Sequence, residues 1–434
     1  MGNTNGWGDT SVTDQAEPVP LSGDDGRVLG VDGIALDAAV VSEMRTLVKA
    51  GAAEMIAFRR RLHAEPELSY EEVATTDAVI ERLLVQDLEP IRLDSGTGVI
   101  CDIGPGEPVV ALRADIDALP LEEATSLPYR SRNKGVCHAC GHDLHTAAVL
   151  GAGLALTKLN DEGRLPHAVR LIFEPGEEQV PGGAIEIVEA GWLEPISTIF
   201  AVHCDPKTDV GTFGCRVGPI TSASDMVEVV LCGPGGHTAR PHLTVDLVQV
   251  AADLAARLPQ EVAGRVPDKD SVRLVFGILQ TGSAANVIPS EAVLRGSLRT
   301  PDDSIWQQLP ALLEQAVEDI LKPTGAQYRL RHVRGVAPVN NDPFATAVAV
   351  GAAEALVGSD HVGQAEHSWG GDSFGWFTVA VPGAYVRMGT HKPSWTQRRD
   401  LHHPGFDVDE RAISHGSALL ALSALSAMGV GRDG

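Results

Sequence analysis

The stretch Val109-Val110-Ala111-Leu112-Arg113-Ala114-Asp115-Ile116-Asp117 runs from an apolar segment straight into two carboxylates. Two further stretches share that grammar. Val169-Arg170-Leu171-Ile172-Phe173 leads into Glu174-Pro175-Gly176-Glu177-Glu178, and Ile199-Phe200-Ala201-Val202 ends at His203. Apolar runs that lack polar alternation read as strands buried on both faces. Where such runs alternate with helical segments, they predict an open, largely parallel sheet flanked by helices. In a sheet of that kind the ligand site lies beyond the carboxyl ends of the strands. The three runs therefore bring acids and an imidazole to one rim, and the fold class is α/β.

Working outward, apolar residues recur at helical spacing over 36–62 (Val40, Met44, Leu47, Val48, Met55, Phe58, Leu62). Ser69-Tyr70-Glu71-Glu72 then reads as a capping box, opening a helix with Val73, Ile80, Leu83 and Leu84 on its buried face. From about residue 222 the pattern changes. Strands are predicted at 225–232, 271–277, 291–299 and 327–333, with helices at 244–258 and 303–321. Strand-helix-strand-strand-helix-strand is the α+β, ferredoxin-like order. We read 222–334 as a small domain inserted into a larger one formed by 33–221 and 335–434, with 1–32 as a disordered tail. Beyond the insertion come a helix at 344–356, a strand at 384–388, the motif Leu401-His402-His403-Pro404-Gly405-Phe406 and a closing Ala/Leu helix.

The densest chemistry is Cys137-His138-Ala139-Cys140-Gly141-His142-Asp143-Leu144-His145, placed before a buried helical run. Thiolate, neutral imidazole and carboxylate are the side chains that hold zinc-like divalent metals. Core cysteines beside surface histidines would be the plain alternative. A structural zinc ribbon would need a second cysteine pair at matching spacing, but Cys101, Cys204, Cys215 and Cys232 are scattered singly. An open, catalytic metal site is the better reading. Glu177-Glu178 sits on a tight loop between Pro175-Gly176 and Pro181-Gly182-Gly183. Alone, such a pair is usually a solvated acidic turn. At the end of an apolar strand it suits metal-assisted hydrolysis, one carboxylate binding metal while the other carries a proton. His203 ends a strand at the same rim, and one of His402 and His403 could complete the site. The loop Gly233-Pro234-Gly235-Gly236-His237 lacks the Gly-Lys-Ser/Thr ending of a phosphate cradle and is better read as presenting His237 to a ligand. No Gly-x-Ser-x-Gly elbow occurs, which weakens a serine hydrolase.

Composition narrows the partners. A net charge of −24 argues against a nucleic-acid partner, because phosphate backbones are bound by basic surfaces. It also means that an anionic substrate is repelled at long range and must be held by local groups. No apolar run approaches the ~20 residues that span a bilayer, so no membrane partner is expected. The six cysteines form no disulfide framework, and with no leader pattern in the first thirty residues a cytoplasmic setting is expected.

Taken together, the motifs resemble the dinuclear-metal amidohydrolases of the aminoacylase and carboxypeptidase superfamily. The branch they look most like holds hippurate hydrolase, N-acyl-amino-acid amidohydrolases and auxin-conjugate hydrolases. The resemblance covers nearly everything after residue 50. It rests on Arg60-Arg61-Leu62-His63 with Pro66-Glu67-Leu68-Ser69, on Arg113 to Pro120, on Cys140-Gly141-His142-Asp143 and on Glu177-Glu178. It rests equally on Val202-His203, Gly235-Gly236-His237 with Pro241-His242, Asn286-Val287-Ile288-Pro289, and His402 with Pro404. It implies a metallopeptidase-like catalytic domain with an inserted lid and dimerisation domain, and two divalent metal ions per chain: zinc or manganese, with cobalt or nickel as alternatives. Cys140 would bridge them, with His142, Glu178, His203 and His402 as the other ligands; His403 is disfavoured because the family's ligand precedes Pro by two positions. Glu177 would be the general base. His237, in this family often supplied across a dimer, would stabilise the oxyanion or hold substrate, with Asn286 nearby. Asp115 and Asp117 would orient ligands from behind. The implied activity is hydrolysis, by metal-activated water, of the amide of an N-acyl or N-aroyl amino acid or small peptide-like amide. One departure stands out. Where the branch usually carries Gly-Gly-Glu-Asp-Phe in a pocket-lining motif, this chain has Gly370-Gly371-Asp372-Ser373-Phe374. A catalytically silent relative that binds an amino-acid conjugate is the rival that this departure supports. A cysteine-nucleophile or acyl-transferring enzyme is a third, and it would stay active in chelator.

Overall fold

The computed structural model describes residues 31–430, so the tail expected over 1–32 lies outside it except for its last two residues. An eight-stranded sheet organises the chain. From one edge its strands are Ile91–Arg92, Val99–Ile103, Ala168–Glu174, Pro108–Asp115, Thr198–Asp209, Gly383–His391, Phe213–Cys215 and Val362–Gln364. The four strands from Ala168–Glu174 to Gly383–His391 are mutually parallel; Ile91–Arg92, Val99–Ile103 and Phe213–Cys215 join antiparallel on either side, and the far edge pair, Phe213–Cys215 with Val362–Gln364, is parallel. The period-two alternation of a strand explains the apolar run at its centre. Val110, Leu112 and Ala114 point into one core and Ala111 into another, so both faces must be apolar. On the first face lie the helices Ala38–Ala64, His142–Asp161, Pro343–Val357 and Arg411–Ala427. The short helices Ala184–Glu189 and Phe374–Ala380 cover the second.

A separate four-stranded antiparallel sheet lies between residues 223 and 336, in the order Arg273–Thr281, Glu291–Thr300, Ala223–Cys232, Gln327–Val336. Helices Leu247–Ala263 and Asp303–Leu321 pack on it around a hydrophobic core of its own. Asp225, wholly buried there, accepts from the Trp306 indole (3.0 Å), His332 Nε2 (2.7 Å) and Gly335 N (2.9 Å).

Several local expectations are corrected. Ser69 caps no helix: its hydroxyl donates to Asp117 Oδ2 (2.7 Å), and Glu67 takes the free N–H groups of Ala74 and Thr75 at the start of Val73–Leu84. That helix buries Thr75, Thr76, Ala78, Val79 and Leu83 and leaves Val73 and Leu84 exposed. The strand expected to end at His203 continues to Asp209, because Gly383–His391 pairs along its whole length. The helix predicted from 244 begins at Leu247, where Asp246 Oδ1 accepts from the N–H groups of Val248 and Gln249. Among the described residues no helix is long and apolar enough to cross a membrane.

Candidate metal centre

Asp115 and Glu174 end neighbouring parallel strands in direct register. Arg113 bonds both, at 2.7 Å to Asp115 and 2.6 Å to Glu174, with all three side chains buried, and Asp372 lies 3.5 Å from the same guanidinium. One cation thus faces three carboxylates out of contact with water. Burial holds the Glu174 carboxyl up to about 7, against the pull of Arg113.

The helix His142–Asp161 starts at Gly141, whose backbone is left-handed (φ 90°) and whose Cα hydrogens face Cys204; a Cβ there would overlap the Cys204 sulfur. That close approach sets His142 against the strand ends. His142 Nδ1 lies 2.9 Å from the Asp117 carbonyl and 3.1 Å from Asp117 Oδ1, which assigns the proton to Nδ1 and leaves Nε2 with a lone pair. Nε2 is buried and has no hydrogen-bond partner. Around it stand Asp115 Oδ2 at 3.8 Å, Glu177 Oε2 at 3.9 Å and Glu178 Oε1 at 3.9 Å. His203 Nδ1 likewise donates to the Cys204 carbonyl (2.8 Å), and its Nε2 sits 3.5 Å from Cys140 Sγ.

His402 Nε2 approaches Glu178 Oε1 to 3.1 Å. Its backbone is left-handed (φ 60°) and its N–H donates to the Ala139 carbonyl (2.7 Å), which ties the loop to the cysteine cluster. A non-glycine residue in that conformation costs about 1–2 kcal/mol, so the surrounding fold has to hold it there. His403 turns away, its Nδ1 accepting from Gly405 N (2.9 Å). His145 was given no role by sequence reasoning. It stands behind the cluster, donating through Nδ1 to Asp115 Oδ1 (2.7 Å) and accepting at Nε2 from the Cys204 N–H (2.9 Å). Its spacing of three from His142, one helical turn, was the available clue.

Among the described residues four overlapping groups of donors result, the ligand atoms of each within 4.8 Å of one another. Cys140, His142 and His203 form one, and Cys140, Glu178 and His402 another, both containing the Cys140 sulfur. The other two, Asp115 with His142 and His145, and His142 with Glu177 and Glu178, share His142 instead. Burial and the Glu178 charge push the Cys140 thiol well up, so a thiolate here needs a cation beside it. The mix of sulfur, imidazole and carboxylate, the partnerless Nε2 of His142 and the excess of buried carboxylates all fit divalent metal.

Glu177 is held differently from Glu178. Its Oε1 accepts from the Ser373 N–H (3.2 Å), and burial, Asp372 and Glu178 together push its carboxyl well up. Asp117 Oδ2 accepts from the Glu178 N–H (2.9 Å), fixing the loop between them. The departure at Asp372-Ser373 falls beneath this loop, and in this chain both side chains are buried. Asp372 accepts from the Tyr385 hydroxyl (2.6 Å) and the Phe374 N–H (2.8 Å), while the Ser373 hydroxyl donates to Glu174 (2.5 Å) and accepts from Arg113 (3.0 Å).

The structure does not bring His237 and Asn286 into this cluster. They sit on a small ribbon where Gly236–His237 pairs with Val287–Ile288. His237 is exposed, its Nδ1 accepting from Ala239 N (3.0 Å), and the Asn286 carbonyl accepts from Thr238 N (3.3 Å). Among the described residues no hydrogen bond, ion pair or ring contact joins either to the metal cluster.

Comparison with known proteins gives consistent matches. The profile described as Peptidase family M20/M25/M40 matches residues 111–426. An N-acetylcysteine deacetylase of Bacillus subtilis is 36% identical over 377 residues, covering 86% of this chain and 96% of that protein. A Rhodococcus jostii protein named as a glutamate–cysteine ligase is 46% identical over 375 residues, which are 86% of this chain and 46% of its own length. This chain thus spans less than half of that relative. The crystal structure of a Bacillus subtilis protein described as a dinuclear metal binding peptidase from M20 family superposes with a TM-score of 0.76. It is 34% identical, over 88% of this chain and 99% of that one.

Proposed function

The chain belongs to peptidase family M20/M25/M40 and is a metal-dependent amidohydrolase, and from that premise we propose that it cleaves the amide bond of N-acyl or N-aroyl amino acids or small peptide-like amides. The observation that carries the reading is the division between two adjacent carboxylates. Glu178 faces His402 among the donor groups, while Glu177 is held from behind by the Ser373 N–H with its Oε2 toward His142. Cys140, His142, Glu178, His203 and His402 would hold two divalent ions, zinc or manganese. Such ions supply Lewis acidity toward the amide oxygen and toward the attacking water.

In this reading Glu177 takes a proton from the attacking water as its oxygen adds to the amide carbon. It then passes that proton to the nitrogen as the carbon–nitrogen bond breaks, leaving a carboxylate and an amine. Asp117 and the Cys204 carbonyl keep the imidazoles of His142 and His203 in one tautomer, and Asp115 does the same for His145. His237 supplies oxyanion stabilisation, with Asn286 beside it on the ribbon, and reaches the cluster by closure of the inserted sheet or from a second copy in a homodimer. The six cysteines are all unpaired, which suits a cytoplasmic enzyme. A cysteine nucleophile is disfavoured, since Cys140 is buried and its thiol is pushed up.

The test is amine release from N-acetyl, N-benzoyl and indole-acyl amino acids, run as purified, after chelation, and after adding back zinc or manganese. Release that stops with chelator and returns with metal is expected. Release that survives chelation would overturn the reading.

A further inference from the structure

A chain of net charge −24 that acts on a carboxylate-bearing amide needs a local cation to hold it. The arginines of the interior are already committed. Arg113 faces Asp115 and Glu174, Arg59 faces Asp143, and Arg170 faces Asp102. Two at the rim of the large sheet are not.

Arg387 lies on Gly383–His391 in register with His203, so the two side chains share a sheet face. One guanidinium nitrogen stands 3.0 Å from His203 Nδ1, on the side of the ring away from Cys140. That ring nitrogen already donates to the Cys204 carbonyl, so it offers Arg387 no acceptor. Arg216 follows the neighbouring strand Phe213–Cys215, where Gly214 pairs with Arg387. Its Nε is buried without a hydrogen-bond partner. Neither guanidinium has a carboxylate within ion-pair distance among the described residues. Their convergence shows in His367, whose imidazole is held below its usual range first by burial and then by Arg216, Arg273 and Arg387. Arg273, from the inserted sheet, is occupied over the Trp369 ring at 3.7 Å.

We propose that Arg387 and Arg216 form a carboxylate subsite beside His203, which takes the carboxylate of an N-acyl amino acid while its amide lies over the Cys140–His142–Glu178 cluster. The proposal rests on the amidohydrolase reading above. Geometry supports it: in an N-acyl amino acid the carboxylate is separated from the scissile nitrogen by one carbon, and Arg387 is separated from the Cys140 side of the cluster by one imidazole ring. A planar guanidinium binds a carboxylate through two parallel N–H bonds, so an amide or ester in its place is penalised.

The experiment compares an N-acetyl amino acid with its carboxamide, as kcat/KM on the metal-loaded enzyme. The proteins are wild type, Arg387→Gln, Arg387→Lys and Arg216→Gln, each checked for metal content and thermal unfolding. Wild type is expected to prefer the carboxylate. Arg387→Gln should shrink that preference by at least ~10-fold, the order of one charge-assisted hydrogen bond, chiefly through KM. Arg387→Lys should restore part of it, and Arg216→Gln should move it the same way. A merely structural role, such as the stacking of Arg387 on Tyr385 at 5.0 Å, would depress both substrates alike, and that result would overturn the proposal. In parallel, calorimetry follows N-acetyl amino acid binding to metal-loaded Glu177→Ala with and without Arg387→Gln. If wild type hydrolyses nothing yet this binding depends on Arg387, the hydrolytic reading fails and the subsite stands. Hydrolysis with an unchanged preference means the reverse, and neither hydrolysis nor binding overturns both.

Discussion

The rim of the large sheet and the ribbon of the inserted sheet differ in how firmly their polar groups are held. At the rim most groups are anchored by a segment distant in sequence: His142 by Asp117, His145 by Cys204, Glu177 by Ser373 and His402 by Ala139, while His203 bonds the adjacent Cys204 carbonyl. On the ribbon, among the described residues, the His237 side chain is held only by Ala239 N, two residues on, and Asn286 only through its backbone carbonyl to Thr238 N, on a pairing two residues long and open to water. Few polar and ring contacts connect the two sheets, among them Trp306 against Trp376 at 5.5 Å and Arg299 donating to the Trp369 carbonyl at 2.6 Å. In the proposed reading, the groups that would hold metal are built where a core supports them, and the groups that would meet substrate stand on a short, exposed ribbon, the kind of support on which local motion costs least.

The largest expected effect belongs to the rim. Glu177→Ala should lower amine release by ~10²–10⁴-fold or more while bound metal and the unfolding midpoint stay near wild type; turnover within a few-fold of wild type would remove the general base from our account. Next is the buried charge behind it. Arg113→Met leaves Asp115 and Glu174 without their cation, and urea unfolding should show a loss of about 3–5 kcal/mol. A loss under 1 kcal/mol would mean that the rim is less anchored than we argue.

The ribbon comes third. His237→Ala should cost ~10²–10³-fold in kcat with metal content unchanged. Mixing it with Glu177→Ala, under conditions that exchange subunits, sharpens the comparison. Recovered activity means that His237 serves a second copy's rim; none means that it serves its own by closure. The smallest effect concerns Glu72, which accepts from the Gly176 N–H (2.8 Å) beneath the Glu177 loop and whose carboxyl is pushed up to about 7, mainly by burial and secondarily by Asp117. A folded value above the ordinary 4.5 means that its stabilising contribution is complete below 4.5 and lost as pH rises through about 7. The midpoint of Glu72→Gln relative to wild type should therefore climb across that window, and a flat difference would show that the carboxyl is not perturbed.

Much of the rim was legible because its signals are local. An apolar run that ends in acids can be read without knowing its neighbours, and so can the cluster from Cys137 to His145. Arg113 and Glu174 stood out as charges attached to apolar runs, but their pairing depends on the register of two strands about sixty residues apart in sequence. Ser69 carried a capping pattern that lost to a tertiary partner, since Asp117 took its hydroxyl. Nothing in the residues beside them sets Arg387 and Arg216 apart; the strand order makes them neighbours at the rim.

By itself, then, the sequence determined the strand and helix types, the donor chemistry of the rim and the family, because periodicity and residue type act over a few neighbouring positions. Only the tertiary structure decided which nitrogen of His142 is free, and that Asp372 and Ser373 lie beneath Glu177. Those outcomes depend on hydrogen bonds between segments far apart in the chain, and such bonds exist only once packing has fixed the strand order and register.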